Sequence, residues 1–149
     1  MPEARLRSAP MLVVRYGRVE DAQRVLELWS LARSDHATTS DHTGDLERLV
    51  TGTPSALFVA EADGGVILGA LIAGWDGWRG NMYRLAVHPD HRRQGIGRRL
   101  LDAGEAHLRG LGTRRVTVLV AHDDAVAGPF WDAAGYPVDQ EIGRRVRNL

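Results

Sequence analysis

Residues 92–99, RRQGIGRR, place four arginines around two glycines at the start of an apolar helical pattern. Cations at a helix N-terminus cost up to about 1 kcal/mol each, because the helix dipole is already positive there. Glycines remove side chains that would block a ligand, and the unpaired amide hydrogens of a helix start suit phosphate. Arginine adds charge and a planar fork of donors. The stretch therefore predicts a phosphate-binding site; the alternative is a glycine-eased turn with solvated arginines.

The spacing of Gly95 and Gly97 differs from two common nucleotide-binding patterns. Leu100 stands where a dinucleotide-binding fingerprint has its third glycine, and the chain contains no P-loop pattern. Asp123 follows the next predicted strand, which leaves a nucleotide-binding module open as an alternative.

The elements that position this stretch can be predicted from the spacing of apolar residues. Apolar residues and Gly104 recur at steps of three and four from Ile96 to Leu111, so one face of a long helix is buried. Asp63-Gly64-Gly65 between two apolar runs predicts a hairpin. The full order is a strand at 11–18, helices at 19–33 and 46–52, a three-stranded meander within 56–89, a helix from 95, a strand at 114–121, a short helix ending at 135, and one or two closing strands within 136–149.

This order predicts a mixed α/β sheet that is antiparallel in its middle. The two strands around the long helix should be parallel, because a helical crossover joins them. The closing strands would leave an exposed edge, and exposed edges invite pairing, so a homodimer is a further hypothesis.

Composition limits the classes of protein to which the chain can belong. It has 149 residues, 44% of them hydrophobic, with zero formal net charge and no cysteine. Thiol chemistry and disulfides are excluded, and nucleic-acid binding is not expected at zero net charge without aromatics among the arginines. No apolar run reaches the ~20 residues that span a bilayer. We expect a flexible leader at 1–10, one domain at 11–149 and a cytoplasmic protein.

Two motifs together resemble the GNAT superfamily of acyl-CoA-dependent N-acetyltransferases. Arg92-Arg93-Gln94-Gly95-Ile96-Gly97 is similar to the family signature, and it follows a strand ending in LAVHP. FWDAAGY at 130–136 is similar to a second family motif. The resemblance implies the GNAT-type sheet, with a splayed parallel strand pair at the cofactor site, and it implies acetyl-CoA as the acetyl donor.

The resemblance also implies which residues bind acetyl-CoA. Backbone groups of Leu85, Ala86 and Val87 take the place of those that pair with pantetheine. Gly97 is expected to face solvent at the helix start. The pyrophosphate would be held by Arg92, Arg93, Gln94, Gly95, Ile96, Gly97 and Arg98.

The acid and base residues of the family are not matched. The strand NMYRLAV lacks the Glu that many relatives use as a base, and Trp131 replaces a Tyr that often acts as the acid. The Trp131 N–H could instead hydrogen-bond the sulfur, and Asp124 replaces an Asn common near the cofactor. Tyr83 is a candidate proton relay or a half-buried strand residue. His122 is a candidate base or a solvated strand-end histidine. A non-catalytic acyl-CoA-binding or sensor protein is therefore an alternative.

Acceptor recognition is expected from the first helices and the meander turns. Acidic groups in the loop SDHATTSDHTGD (34–45) would suit a cationic amine, and a metal site there is a minor alternative to our expectation of no metal. The acceptor would be a primary amine of a small molecule or a protein N-terminus. The candidate acceptor residues are Trp29, Asp35, His36, Trp75, Asp76 and Trp78.

Overall fold

The structure, a computed structural model, describes residues 11–32 and 40–149. The predicted leader and the candidate acceptor residues Asp35 and His36 lie outside the described residues. The chain divides into two compact units, of which the first ends at Leu119 and the second comprises Val120–Leu149.

The first unit contains one five-stranded sheet in which sequence order and spatial order coincide. Neighbouring strands are antiparallel except for the last pair, which is parallel. This arrangement confirms the predicted mixed sheet and the parallel pair around the long helix. The strands are β1 Val13–Tyr16, β2 Ala56–Ala62, β3 Val66–Trp75, β4 Gly80–Val87 and β5 Val116–Val118.

Helices cover both faces of this sheet. Ile72 on β3 belongs to a buried cluster with Val25 and Leu28 of the first helix. The next residue back, Leu71, lies against the long helix at Gly104. Because successive strand residues point to opposite faces, these two helices pack on opposite sides. The helices are α1 Ala22–Ala32, α2 Thr43–Gly52, α3 Ile96–Gly110 and, in the second unit, α4 Ala127–Ala133.

A buried carboxylate ties β1 to the start of α1. Asp21 is 1% exposed. It accepts hydrogen bonds from Arg15 at 2.7 and 2.9 Å, from Arg24 at 2.7 Å and from the Arg18 backbone N–H at 2.8 Å. Arg15 also contacts Glu61 on β2 at 2.5 Å. These contacts fix the end of the sheet from which the first helix departs.

The closing strands predicted within 136–149 do not form. These residues contain no helix or strand. Val138, Ile142 and Val146 are 69%, 74% and 66% exposed. They recur every four residues, whereas a half-buried strand needs apolar residues at every second position. The argument for a homodimer from an exposed closing strand therefore loses its basis.

The strand predicted at 114–121 is also shorter than expected. It comprises only Val116–Val118, which pair with Gly80–Met82. A strand is stable only where a neighbour satisfies its backbone hydrogen bonds, and β4 leaves its regular extended backbone at Arg84, two residues after Met82. Leu119, which follows β5, is 59% exposed.

Candidate active site

Strand β4 is covered on one edge along only part of its length. β5 pairs with Gly80–Met82 and ends at Val118, whereas β4 continues to Val87. The opposite edge remains paired with β3 as far as Val87. Alternate residues of a strand direct their N–H and C=O groups to opposite edges, so part of the Leu85–Val87 backbone faces away from β3. Within the described chain, no strand covers that part of the edge.

Strand β4 contains a bulge at Arg84, beyond the part that pairs with β5. The register between β3 and β4 shifts there, and Arg84 has a φ of 53°. Met82 contacts α3, yet Ala86 lies in the buried cluster of α1. In a regular strand two residues four apart would share a face, so one extra residue has been inserted between them. A positive φ is strained for an arginine, and such strain concentrates at functional sites.

The turn after β4 leads into an unobstructed helix start. Gly95 immediately precedes α3 with a φ of 79°, and no side chain caps the helix. A Cβ built on Gly95 would meet no atom within 4 Å. Arg93 also has a positive φ, of 62°. The first amide groups of α3 are therefore approachable, as the predicted pyrophosphate site requires.

The four arginines of the stretch fall into two pairs. Arg98 makes a 3.0 Å salt bridge to Asp102, and Arg99 donates a 3.0 Å hydrogen bond to a carbonyl just before β1. Arg92 and Arg93 are exposed, and neither makes an ion pair with any residue of the described ranges. Arg92 and Arg93 thus offer the guanidinium groups that a phosphate could engage without losing an internal partner.

Two of the residues predicted to bind the pyrophosphate are buried. Ile96 is 3% exposed, and Gly97 is buried in the first turn of α3. The expectation that Gly97 faces solvent is therefore wrong, because the first turn of α3 already packs on the sheet. Gln94 is exposed. If Ile96 and Gly97 contribute to phosphate binding, they do so through backbone N–H groups alone.

The close packing of α3 on the sheet gives a testable prediction at Gly69. A Cβ on Gly69 would lie 2.8 Å from Leu100 Cδ1 and 2.9 Å from Ile96 Cγ2. We expect Gly69→Ala to lower the free energy of unfolding by about 1–3 kcal/mol, because overpacking displaces the start of α3. Urea denaturation measures this loss. Gly110→Ala is the control: it meets nothing within 4 Å and should be neutral or stabilising through helix propensity.

Tyr83 lies on the face of β4 that is directed toward α1, and its side chain is accessible. It is 45% exposed, and its ring covers Gly74 of β3, where a Cβ would lie 2.6 Å from Tyr83 Cε2. The absence of a side chain at this position makes room for the ring. The phenolic hydroxyl is thus available to a bound molecule on this face.

Three side chains beside Tyr83 form what we call the Arg84 cluster, consisting of Arg84, Asp41 and Trp29. Arg84 Nη2 lies 2.6 Å from Asp41 Oδ1, and the Arg84 guanidinium lies 5.6 Å from the Trp29 ring centroid. Trp29 is only 7% exposed. Trp29 and the acidic loop were expected at the acceptor site from the sequence, but the pairing of Arg84 with Asp41 was not predicted. The signal available was an arginine inside the otherwise uncharged strand NMYRLAV.

The turn between β3 and β4 is held by Asp76. Its Oδ1 accepts hydrogen bonds from the backbone N–H groups of Arg79 at 2.6 Å and Trp78 at 2.8 Å, and these bonds lower the pKa of Asp76. Trp78 is 75% exposed, with the Arg79 guanidinium 4.2 Å from its ring centroid. Trp75 is half-buried, and its backbone N–H donates to Ser55. Asp76 therefore has a structural function here, whatever the acceptor.

The remaining candidates lie in the second unit. Asp124 Oδ1 accepts hydrogen bonds from the backbone N–H groups of Val126 and Ala127 at 3.0 and 2.8 Å, and so caps α4. Trp131 is 5% exposed and packs edge-on against Phe130 and Tyr136. His122 is exposed and comes four residues after β5, not at a strand end.

The described residues contain neither a cluster of metal-ligating side chains nor a helix that could span a membrane. No group of three or more His, Asp or Glu side chains within residues 11–32 and 40–149 is arranged to hold a metal ion. None of the helices in these ranges combines enough length and apolar character to span a bilayer.

Residues 22–136 match the model of the acetyltransferase (GNAT) family. The chain belongs to this family. An acetyltransferase of Pectobacterium atrosepticum is 35% identical over 119 residues, covering 78% of this chain and 82% of the relative. The family predicted from the two sequence motifs is thereby confirmed, and the protein is an acetyltransferase by class.

Solved structures support the fold of this GNAT acetyltransferase. An aminoglycoside acetyltransferase from an uncultured soil metagenomic sample, in complex with sisomicin, is similar with a TM-score of 0.77 at 20% identity, covering 93% of this chain and 96% of that one. AAC(6')-Iy in complex with the bisubstrate analogue CoA-S-monomethyl-acetylneamine has a TM-score of 0.74 at 20% identity, covering 93% and 99%. At this identity the likeness establishes the fold, which confirms the predicted class.

Proposed function

We propose that this GNAT acetyltransferase uses acetyl-CoA as donor and transfers the acetyl group directly to a primary amine of a small molecule or a protein N-terminus. The observation that carries the proposal is the uncovered edge of β4 at Leu85–Val87, which leads into the uncapped start of α3. An extended pantetheine chain needs exposed backbone groups to pair with, and a pyrophosphate needs amide hydrogens and cations. The chain supplies both within residues 85–98.

The residues around the start of α3 leave room for the phosphates of acetyl-CoA and offer positive charge to them. Gly95 leaves open space where any other residue would place a Cβ, and Arg92 and Arg93 stand exposed beside it. A side chain at Gly95 would also have to adopt the left-handed backbone, which few residues tolerate. We propose that the loop from Arg92 to Arg98 holds the pyrophosphate through its N–H groups and guanidinium groups.

The reaction requires a neutral amine, an oriented thioester and a proton for the departing sulfur. The amine nitrogen attacks the thioester carbonyl, the C–N bond forms and the C–S bond breaks. The nitrogen gives up one proton as it becomes an amide, and the departing thiolate takes up one proton. Tyr83 is a candidate for proton transfer. Its side chain lies on the face of β4 directed toward α1 and is 45% exposed. We retain His122 as a candidate base and Trp131 and Asp124 as candidate cofactor residues.

A non-catalytic acyl-CoA-binding protein is the second candidate. One observation favours it: β4, Gly80–Val87, carries no carboxylate that could act as a base. An enzyme without this carboxylate would have to rely on the positioning of its substrates and on amines that are already partly neutral.

Acetyl transfer to defined amines tests the proposal. We expect the purified protein with acetyl-CoA to release CoA thiol in the presence of at least one of spermidine, sisomicin or a peptide with an unblocked N-terminus. Mass spectrometry should show a single acetyl group on the amine. Acetyl-CoA that binds but stays intact with every amine would favour the non-catalytic protein. Acetyl-CoA that does not bind at all would refute both.

A further inference from the structure

In the Arg84 cluster, a guanidinium of the chain itself lies against a carboxylate and an aromatic ring. A carboxylate and an aromatic face are the two groups that proteins use to hold an organic cation. Asp41 supplies the carboxylate and Trp29 the ring, and the cation between them is the Arg84 guanidinium. The side chains of Arg84 and Asp41 are 31% and 23% exposed. The pair is therefore shielded from solvent only in part, and a ligand can reach it.

The position of the cluster relates it to the acceptor. Arg84 forms the bulge of β4 and directly precedes Leu85–Val87, the residues that we propose to hold pantetheine. The acetyl group would extend beyond pantetheine along the same strand, so the acceptor amine must come close to this bulge. Tyr83, on the face directed toward α1, lies next to it.

An ammonium held by Asp41 is poorly suited to be the amine that reacts. A carboxylate partner favours the charged form of an amine, and a protonated amine has no lone pair for attack. The site therefore suits a second, non-reacting ammonium on the acceptor. The guanidinium of Arg84, displaced but still nearby, would favour the neutral form of the reacting amine through like-charge repulsion.

We infer that the acceptor is a diamine or polyamine, and that one of its ammonium groups replaces the Arg84 guanidinium between Asp41 and Trp29. Arg84 acts as an internal competitor on a long, flexible side chain. This inference rests on the proposed function, since it assigns the acceptor of the same site.

A matched pair of substrates tests the inference directly. Cadaverine and pentylamine share a five-carbon chain and one reacting amine, but only cadaverine carries a second ammonium. We expect kcat/KM for cadaverine to exceed that for pentylamine by about tenfold or more, the range expected for a close charge pair that is partly desolvated. Asp41→Asn should abolish this preference through a higher KM. Arg84→Gln should lower the KM for cadaverine, because the competitor has been removed.

The opposite signs of the two variants separate ligand binding from a structural tether. If Asp41 and Arg84 only hold residues 40–42 against β4, both variants should impair the enzyme alike, and the inference is overturned. Asp45→Asn is the control, since Asp45 pairs with Arg48 on α2 and both side chains are exposed.

Calorimetric titration of both amines into the CoA-loaded protein gives a readout that does not depend on turnover. Tighter binding of cadaverine that depends on Asp41 supports the inference, and equal affinity overturns it. If both amines are acetylated at equal rates, the proposed function stands and the inference fails. If acetyl-CoA fails to bind, the proposed function itself fails.

Discussion

Asp21→Asn is expected to lower the free energy of unfolding by about 3–5 kcal/mol, the usual cost of removing one partner from a buried ion pair. Asp21 is 1% exposed and accepts hydrogen bonds from two arginine side chains, Arg15 and Arg24, and from one backbone N–H. The neutral amide cannot match this set of donors, and the Arg15 guanidinium, only 18% exposed, would lose its main counter-charge. Urea denaturation at neutral pH measures the loss.

The control for this variant is again Asp45→Asn. Asp45 and Arg48 are 56% and 76% exposed, and exposed pairs contribute about 0–1 kcal/mol. A loss at Asp21 no larger than the loss at Asp45 would show that the buried network does not stabilise the fold.

The stabilisation by Asp21 should also depend on pH. Hydrogen bonds from Arg15 hold the pKa of Asp21 at about 2, below its ordinary value of 3.8, although burial opposes this effect. The unfolded chain therefore takes up a proton at a higher pH than the folded protein does. The stabilisation is complete above pH ~4 and is lost as the pH falls toward 2. At about 1.4 kcal/mol per pH unit, roughly 2 kcal/mol is involved.

Comparing wild type with Asp21→Asn at pH 7 and at pH 3 tests this dependence. The difference in unfolding free energy between the two proteins should shrink at pH 3. A difference that stays constant over this range would show that Asp21 titrates alike in the folded and unfolded states.

Local sequence patterns predicted the helices and the meander, because these depend on residues that are close along the chain. The apolar spacing from Ile96 to Leu108 corresponds to the buried face of α3. Asp63-Gly64-Gly65 forms the turn between β2 and β3, with a φ of 79° at both glycines. Gly95 likewise has the left-handed backbone that its place before a helix suggested.

The departures from prediction at β4 and β5 depend on contacts between distant residues. The bulge at Arg84 arises from the register between β3 and β4, which no local pattern encodes. β5 pairs with β4 only before that bulge, so the strand predicted at 114–121 comprises three residues. The pairing of Arg84 with Asp41 joins residues 43 positions apart, and the sequence alone gave no reason to prefer it to other acid–base pairs.

The glycine-containing helix start that we propose to hold the phosphates could be predicted more completely than the residues that move protons. A cradle uses backbone amides and glycines, whose spacing is visible in a single motif. Acid and base residues come from separate elements, and the usual family residues are absent here. The candidates Tyr83 and His122 lie in different units of the chain, and Tyr83 alone is placed on the described sheet.

Binding of acetyl-CoA is expected to raise the melting temperature of the protein by roughly 5–10 °C at about a hundredfold excess over Kd. Linkage gives ~2.7 kcal/mol at that excess, and a chain of this size gains roughly 2–4 °C per kcal/mol. NAD and ATP at equal concentration should give smaller shifts. Their phosphates could reach the start of α3, but neither molecule has a pantetheine chain to pair with Leu85–Val87.

The double variant Arg92→Glu/Arg93→Glu tests whether the cradle holds the phosphates. Both arginines are exposed, so the melting temperature without ligand should change little. The acetyl-CoA shift should be largely lost, because two cations become anions facing a pyrophosphate. These positions are better suited than Gly97, since a charged side chain at that buried glycine would disturb folding as well. Arg114→Glu makes half of this charge change at an exposed position beyond the other end of α3, and it should keep the full shift. A full shift in the double variant would place acetyl-CoA elsewhere, whereas a loss of the shift in both variants would reduce the effect to net charge.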